Sequence, residues 1–256
     1  MTSPQPVLGP LPRVRLVAPL RRTESGSGTF LALASDGRQY WVKSPENPQG
    51  NRTLVTEIVV QGVGALLGAP VVPTALVDIP PRMTYSYTRQ DRLHGGLGHG
   101  SLNVSTVIQS DAWSDFSSHD DNRNRQARLL ALWDLCMGGD PQWLYDVLDD
   151  YSVWSFDHGF WLGGEGDWDE GSLTRTATSR WDDELSAGIA SAAGLRAAAE
   201  AVSSLTRDDL RGVVARVPVE WGATSRELVT LVDVLYLRAD GVASRLLEAA
   251  ERTNFD

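Results

Sequence analysis

The first third of the chain alternates short apolar runs with turn residues, a pattern typical of β-structure. Phe30–Ala34 and Gln39–Val42 predict two strands, and Asp36–Gly37 between them is a strong signal for a hairpin turn. Arg13–Ala18 alternates basic and apolar residues, and the glycine- and serine-rich segment Thr23–Thr29 precedes the first of the two strands. The pattern therefore predicts a small antiparallel sheet with a flexible glycine loop at one tip.

A helix follows this sheet. Asn51–Leu67 carries its apolar residues at helical spacing, and Gly68–Pro70 provides the expected stop signal. Val71–Val77 then predicts a further strand. The order of elements in this part of the chain is strand, strand, helix, strand.

The rest of the chain is predicted to be mainly helical. Met83–Asp121 is rich in Gly, Ser, Asp and His with little periodicity, so we expect a connector with irregular surface structure. We predict an α+β protein in two parts, residues 1–82 and residues 83–256. The apolar spacing of the second part predicts four helical segments: Arg125–Met137, Asp183–Glu200, Arg207–Ala215 and Ser225–Ala250.

Composition narrows the functional classes. The formal net charge of −10 argues against a protein that coats nucleic acid, because binding to a phosphate backbone needs a basic face. A single cysteine, Cys136, excludes a disulfide framework within one chain. No stretch reaches the roughly 18 to 20 apolar residues needed to cross a bilayer, and no secretory signal pattern opens the chain. We therefore expect a cytoplasmic protein with no membrane partner and no direct nucleic-acid partner.

Lys43 and Glu57 are the first candidates for chemistry. Lys43 ends the second hairpin strand, on the same face as Trp41, and by itself such a lysine is typical of an exposed strand end. Glu57 is one of few charged residues in an otherwise apolar helix. A buried glutamate needs a partner, for which Lys43 is the obvious candidate. Alternatively, Glu57 only complements the helix dipole.

Two aspartates form the second candidate set. Asp140 lies in a loop after an apolar helix, Asp157 follows the apolar strand Val153–Phe156, and the two bracket one hairpin. Carboxylates in such loops suit magnesium, and phosphoryl transfer depends on positioning and charge neutralisation. Each aspartate alone is more typical of a turn or capping residue than of a metal ligand.

Other catalytic patterns are weak or absent in the sequence. The glycine loop Gly26–Gly28 is adequate as a flap over phosphates but does not match the Walker pattern. The four histidines lack the spacing of zinc ligands. No Gly-x-Ser-x-Gly elbow occurs.

Taken together, these residues resemble the HipA-like kinase family in its compact branch. The resemblance extends over roughly residues 20–165, and the remaining helical tail is less distinctive. The segments that carry the resemblance are Tyr40–Pro45, Thr56–Glu57, Leu67–Pro73, Gly98–Ser101, Gly139–Asp140 and Phe156–Gly159.

The resemblance implies a two-lobed, protein-kinase-like fold and an ATP- and Mg²⁺-dependent transfer of phosphate to a Ser or Thr hydroxyl of a protein. It implies that Lys43 contacts the ATP phosphates and pairs with Glu57, beneath a loop formed by Gly26, Ser27 and Gly28. Asp140 would orient or deprotonate the acceptor hydroxyl, and Asp157 would bind magnesium.

One departure from the family pattern concerns the catalytic loop. The usual loop reads Asn-x-Asp-Arg, with a metal-binding asparagine five residues after the aspartate. Here Gly138, Pro141 and Tyr145 stand at those positions. We hypothesise that Asp146, one residue later, supplies the missing metal oxygen.

Two alternative functions remain open on the sequence. The missing asparagine is also compatible with a pseudokinase that binds nucleotide without transferring phosphate. A metal-dependent hydrolase is the other alternative, because clusters of carboxylates also serve two-metal chemistry. Its metal ligands would be Asp140, Asp146, Asp149 and Asp157.

Overall fold

The computed structural model describes residues 8–23, 25–83, 86, 92, 95–178 and 185–253. The chain forms a β-rich N-terminal part that contains one helix and a mainly helical C-terminal part. Residues 183 and 184, where the sequence predicts the start of a helix, lie outside the described residues.

The N-terminal part is a closed five-stranded barrel. Its strands are β1 (Arg13–Arg22), β2 (Phe30–Ala34), β3 (Gln39–Lys43), β4 (Thr74–Ile79) and β5 (Gly96–Leu102). They are arranged in the order β1-β2-β3-β5-β4, and a parallel pairing of β1 with β4 closes the barrel. Apolar side chains from the inner face of each strand fill the interior.

Strand β5 corrects the prediction of irregular structure for Met83–Asp121. Glycine weakens the sequence signal for a strand, but here it allows the barrel to close. A Cβ atom at Gly100 would lie 2.7 Å from a methyl of Val77 and 3.3 Å from Cβ of Tyr40. Because β5 pairs with β3 and β4, we propose that the N-terminal part extends to Leu102 rather than to residue 82.

Helix α1 (Arg52–Leu67) connects β3 to β4 and agrees closely with the predicted segment. Most of its side chains are buried, because the helix packs against the barrel on one side and helices of the C-terminal part on the other. Gly68 ends it with φ of 63°, the left-handed conformation that glycine adopts without strain. The helix therefore belongs to the interface between the two parts.

The C-terminal part begins with a second, smaller sheet. Strand β6 (Val107–Ser110) pairs with β7 (Trp143–Asp146), which forms a hairpin with β8 (Ser152–Ser155). Helix α2 (Asn122–Leu135) lies between β6 and β7 in sequence. The loop from α2 to β7 and the chain after β8 both emerge at the end of the hairpin where Trp143 pairs with Ser155.

Four further helices complete the described fold and share one large apolar core with α1 and α2. Among the described residues, no helix is both long and apolar enough to cross a membrane. The four helices are α3 (Glu170–Thr176), α4 (Ala192–Ser203), α5 (Arg207–Val214) and α6 (Ser225–Thr253).

Candidate active site

A buried lysine is shared by two carboxylates where the two parts of the molecule meet. Lys43 Nζ lies 2.5 Å from Glu57 Oε1 and 2.5 Å from Asp157 Oδ1. The side chains of Lys43 and Glu57 are 5% and 2% exposed, whereas that of Asp157 is 33% exposed. The predicted pairing of Lys43 with Glu57 is thus present, and Lys43 is not an exposed strand-end lysine.

The three charges stabilise one another. Burial acts to lower the pKa of Lys43, but the negative charges of Asp157 and Glu57 outweigh it and raise that pKa above its ordinary value. Burial acts to raise the pKa of Glu57, but Lys43 holds it well below the ordinary range. Glu57 lies beyond the first turn of α1, and that first turn contains no acidic residue. The salt bridge, rather than the helix dipole, therefore explains this glutamate.

The lysine lies in a cleft of about 800 Å³ between the barrel and the β7–β8 hairpin. The barrel, the segment after β5 and the hairpin region each contribute to its walls. The residues that line it are Arg21, Thr23, Ser25, Thr29, Leu31, Trp41, Lys43, Glu57, Val72, His99, Ser101–Ser105, Val107, Gln109, Gln142, Leu144, Phe156 and Asp157.

The cleft has an apolar and a charged region. Trp41 on β3 and Leu144 on β7 contribute apolar surface, and the guanidinium of Arg21 lies 5.0 Å from the centre of the Trp41 ring. Lys43 and Asp157 provide the charged region. A ligand with a flat, apolar ring system and a polyanionic tail matches this distribution.

The glycine loop is a turn between β1 and β2 at the edge of the cleft. Gly28 has φ of 65°, and its N–H donates to the carbonyl of Ser25 over 3.0 Å. Ser27 is buried, with its hydroxyl 2.7 Å from that of Thr29. The residues of the loop that line the cleft are Thr23, Ser25 and Thr29, so the contact of Gly26, Ser27 and Gly28 with ATP stays a prediction.

Asp140 and Asp157 lie at the same end of the hairpin. Their φ angles are 52° and 55°, in a region that aspartate enters more readily than most residues. Asp140 is exposed and is not part of the cleft wall. Its Oδ2 accepts a hydrogen bond of 2.8 Å from Nε2 of Gln142, which does line the cleft.

Asp146 and Asp149 lie at the opposite end of the hairpin. Asp146 pairs with Ser152, three residues from the Trp143–Ser155 pair, a separation of roughly 10 Å along the strand. Its Oδ1 accepts hydrogen bonds from Thr106 Oγ1 at 2.8 Å and from the N–H of Leu148 at 3.1 Å. Asp146 does not line the cleft that contains Lys43 and Asp157, and its assignment to the metal stays a prediction that this position does not favour.

The separation between the two ends of the hairpin also keeps apart the four carboxylates of the hydrolase alternative. Ser152 Oγ donates to Asp149 Oδ2 over 2.8 Å at the far end of the hairpin. In the described part of the chain, no three His, Cys, Asp or Glu side chains are arranged to hold a metal ion. Two-metal chemistry based on protein carboxylates alone does not fit this arrangement.

Gln142 is a candidate that the sequence reasoning missed. Trp143 and Tyr145 on β7 are fully buried, so the alternating residues Gln142 and Leu144 face the cleft. Tyr145 itself stands where the family pattern has asparagine, but its hydroxyl contacts the carbonyl of Ala112. Strand alternation places residues 142 and 144 on one face and residues 143 and 145 on the other, and this pattern could have identified Gln142 from the sequence. Counting five residues from Asp140 pointed to Tyr145 instead.

Solved kinase structures resemble this chain over nearly its whole length. A Golgi casein kinase with bound manganese and ADP matches with a TM-score of 0.50 and 11% identity, covering 94% of this chain and 74% of its own. Another structure of the Golgi casein kinase gives 0.51 and 12%, with 95% and 73% covered. The proinflammatory kinase CtkA of Helicobacter pylori gives 0.53 and 12%, with 96% and 99% covered.

The chain has a kinase-like fold. This confirms the predicted α+β architecture of a β-rich N-terminal part and a helical C-terminal part. No protein-family model matches the sequence, and no curated protein matches it either. The comparisons therefore establish the fold and leave membership of the HipA-like family as a prediction.

Proposed function

We propose that this protein is an ATP-dependent phosphotransferase of the HipA-like type. The observation that carries the proposal is the buried Lys43, held between Glu57 and Asp157 in a cleft of about 800 Å³. A cation that is buried yet faces a cavity is suited to phosphate oxygens, and the kinase-like fold supports the same assignment.

The donor groups of the cleft fit a nucleotide with a divalent cation. Asp157 keeps a third of its side chain exposed, and Gln142 has an amide oxygen to which the exposed amide of Gln109 donates over 3.3 Å. Magnesium and manganese favour oxygen ligands, and magnesium usually takes only one or two from the protein and the rest from phosphates and water. We assign Asp157 and Gln142 to this metal and Lys43 to the phosphates. The cation would neutralise charge on the transferring phosphoryl group.

We assign Asp140 to the acceptor. Its carboxylate is exposed beside Gln142, so an incoming hydroxyl has access to it from solvent. As a general base, it would accept the proton of that hydroxyl. We propose a Ser or Thr hydroxyl of a protein as the acceptor, on the basis of the HipA-like motifs.

Two observations favour a second function. The first is that Asp140 does not line the cleft. The second is that Gln142 follows Asp140 by two residues, whereas the asparagine of the family pattern follows its aspartate by five. A pseudokinase that binds nucleotide without transferring phosphate has no need of Asp140. Nucleotide binding with no transfer to any acceptor would favour this function.

Transfer from γ-labelled ATP tests the proposal. We expect wild type to label itself or an added protein acceptor, and Asp157→Asn to lose at least a hundredfold in rate because the metal loses its charged ligand. Asp146→Asn is the matched control, since it changes a carboxylate at the other end of the same hairpin, and should retain the wild-type rate. Equal rates for Asp157→Asn and wild type would refute the assignment.

A further inference from the structure

A row of four side chains on neighbouring strands forms the barrel side of one end of the cleft. The strand register places Arg21 of β1 opposite Leu31 of β2 and Leu31 opposite Trp41 of β3. Trp41 in turn lies opposite Ser101 of β5. All four residues line the cleft. Because residues directly opposite each other project to the same face of a sheet, the row is a continuous surface to which Trp41 contributes an aromatic ring.

The indole of Trp41 is held in place by two neighbours. Its Nε1 donates to Oδ1 of Asn103, in the segment after β5, over 3.0 Å. The guanidinium of Arg21 lies over the ring, 5.0 Å from its centre, in the geometry of a cation–π contact. A guanidinium is itself planar and stacks on aromatic rings. Arg21 and Trp41 therefore form a preorganised flat surface, which we call the Arg21–Trp41 platform.

The polar groups beside the platform are already bonded within the protein. The backbone N–H of Leu102 donates to the carbonyl of Pro73 over 2.8 Å, and that of Asn103 donates to the carbonyl of Gln39 over 2.9 Å. The side-chain oxygen of Asn103 accepts from Trp41. These two N–H groups are therefore not available to the edge of a bound base, so what the platform itself offers a ligand ring is a contact with its face.

The platform lies at a suitable distance from the charged region of the cleft. Trp41 and Lys43 are two residues apart on β3, so they project to the same face about 7 Å apart. Leu144 lines the same cleft from the hairpin side. A flat ring between Trp41 and Leu144 would thus be separated from Lys43 by roughly the length of one sugar. A nucleoside triphosphate has this layout of ring, sugar and polyanion.

We propose that the cleft binds the base of a nucleoside triphosphate by stacking it on the Arg21–Trp41 platform, and that it therefore accepts ATP and GTP with little discrimination. The proposal rests on the proposed function of the cleft. Stacking tolerates different bases because every base presents a π-face. Discrimination between adenine and guanine depends instead on hydrogen bonds to the base edge, where the donors and acceptors of the two purines differ.

Equilibrium binding of ATP, GTP and inorganic tripolyphosphate, each with Mg²⁺, tests the platform. For wild type we expect the Kd values for ATP and GTP to agree within about fivefold, and the Kd for tripolyphosphate to be about 5- to 150-fold higher, the usual contribution of one stacked base. Trp41→Ala should weaken the binding of ATP and GTP by that factor and leave tripolyphosphate unchanged. Trp41→Phe keeps an aromatic ring and should recover most of the affinity.

Trp154→Ala is the matched control, because this partly exposed indole does not line the cleft, and its Kd values should equal those of wild type. Thermal unfolding establishes that each variant is folded, and the comparison of the three ligands on wild type needs no variant. A larger preference of wild type for either purine would overturn the proposal. So would a folded Trp41→Ala variant that binds ATP as tightly as wild type.

The same measurements separate this proposal from the proposed function. Wild type that binds tripolyphosphate as tightly as ATP would contradict stacking. Binding that follows the expected pattern, with no transfer of phosphate to any acceptor, would refute the proposed function alone. Transfer from ATP by a protein that does not bind GTP would refute the proposal and leave the proposed function standing.

Discussion

At the scale of single residues, the site is a balance of charges that the protein keeps away from water. Lys43 offsets two carboxylates, and Glu57 is almost fully buried beside it. A buried ion pair contributes little net stability, yet removing one partner is costly because the other charge stays buried. The cluster is thus better explained by a role toward a ligand than by stability alone.

Lys43→Met should destabilise the fold. The substitution leaves Glu57 buried next to Asp157 with no cation, and we expect the free energy of unfolding to fall by about 3 to 5 kcal/mol. Urea denaturation measures this change. The double variant Lys43→Met/Glu57→Gln removes the stranded charge and should recover part of the loss. A single variant as stable as wild type would contradict the burial of the pair.

His99 should make stability depend on pH. It is 1% exposed, and burial lowers its pKa to about 4. The unfolded chain protonates this histidine near pH 6.5, so below that pH the unfolded state binds a proton that the folded state does not. Stability should therefore fall as pH decreases from about 6.5 to 4, by up to about 1.4 kcal/mol per pH unit.

The matched variant for this prediction is His99→Gln, which cannot be protonated in that range. Urea denaturation at several pH values from 7 to 4 should show a shallower loss of stability for the variant than for wild type. If stability depended on pH in the same way in both proteins, His99 would be protonated equally well in the folded and unfolded states, and the prediction would be wrong.

At the scale of elements, helix α1 joins the site to the C-terminal part. Arg52 forms a salt bridge with Glu227 on α6, and Trp168 donates from Nε1 to Thr56 Oγ1 over 2.9 Å. The ring of Trp168 also lies 4.9 Å from the Arg52 guanidinium. Because Glu57 lies on this helix, these contacts fix its position relative to Asp157.

Two helical glycines should respond oppositely to alanine. At Gly64 on α1, a Cβ atom would lie 2.7 Å from Val71 and 3.2 Å from Leu132, so we expect Gly64→Ala to destabilise the protein by about 1 to 3 kcal/mol. At Gly212 on α5, nothing lies within 4 Å, and alanine should stabilise by up to about 1 kcal/mol. Denaturation midpoints measure both, and a stabilised Gly64→Ala variant would contradict the close packing of α1.

The elements with regular periodicity could be predicted from the sequence. Strands β2 and β3 and helix α1 lie within a residue or two of the predicted bounds. Strand β5 could not, because its glycines carry no strand signal and their role depends on the closeness of Val77 and Tyr40 across the barrel. That contact exists only once the barrel has formed.

At the scale of the whole molecule, the order of motifs predicted the architecture better than the details of the site. Lys43, Glu57 and Asp157 could be paired because the order of lysine, glutamate and aspartate fits a kinase-like chain, and the structure brings them together. The choice between Asp146 and Gln142 could not be made in the same way, since it depends on which end of β7 lies at the cleft.

The central claim is that the cleft around Lys43 and Asp157 binds a nucleoside triphosphate with a divalent cation. Its most direct test is the thermal unfolding midpoint with ATP and Mg²⁺ or Mn²⁺, for wild type and Asp157→Asn. A ligand at a hundredfold over its Kd adds about 2.7 kcal/mol, which corresponds to roughly 5 to 10 °C for a chain of this size. We predict that shift for wild type with metal and a much smaller one for the variant. No shift of wild type with any nucleotide and metal would contradict the account.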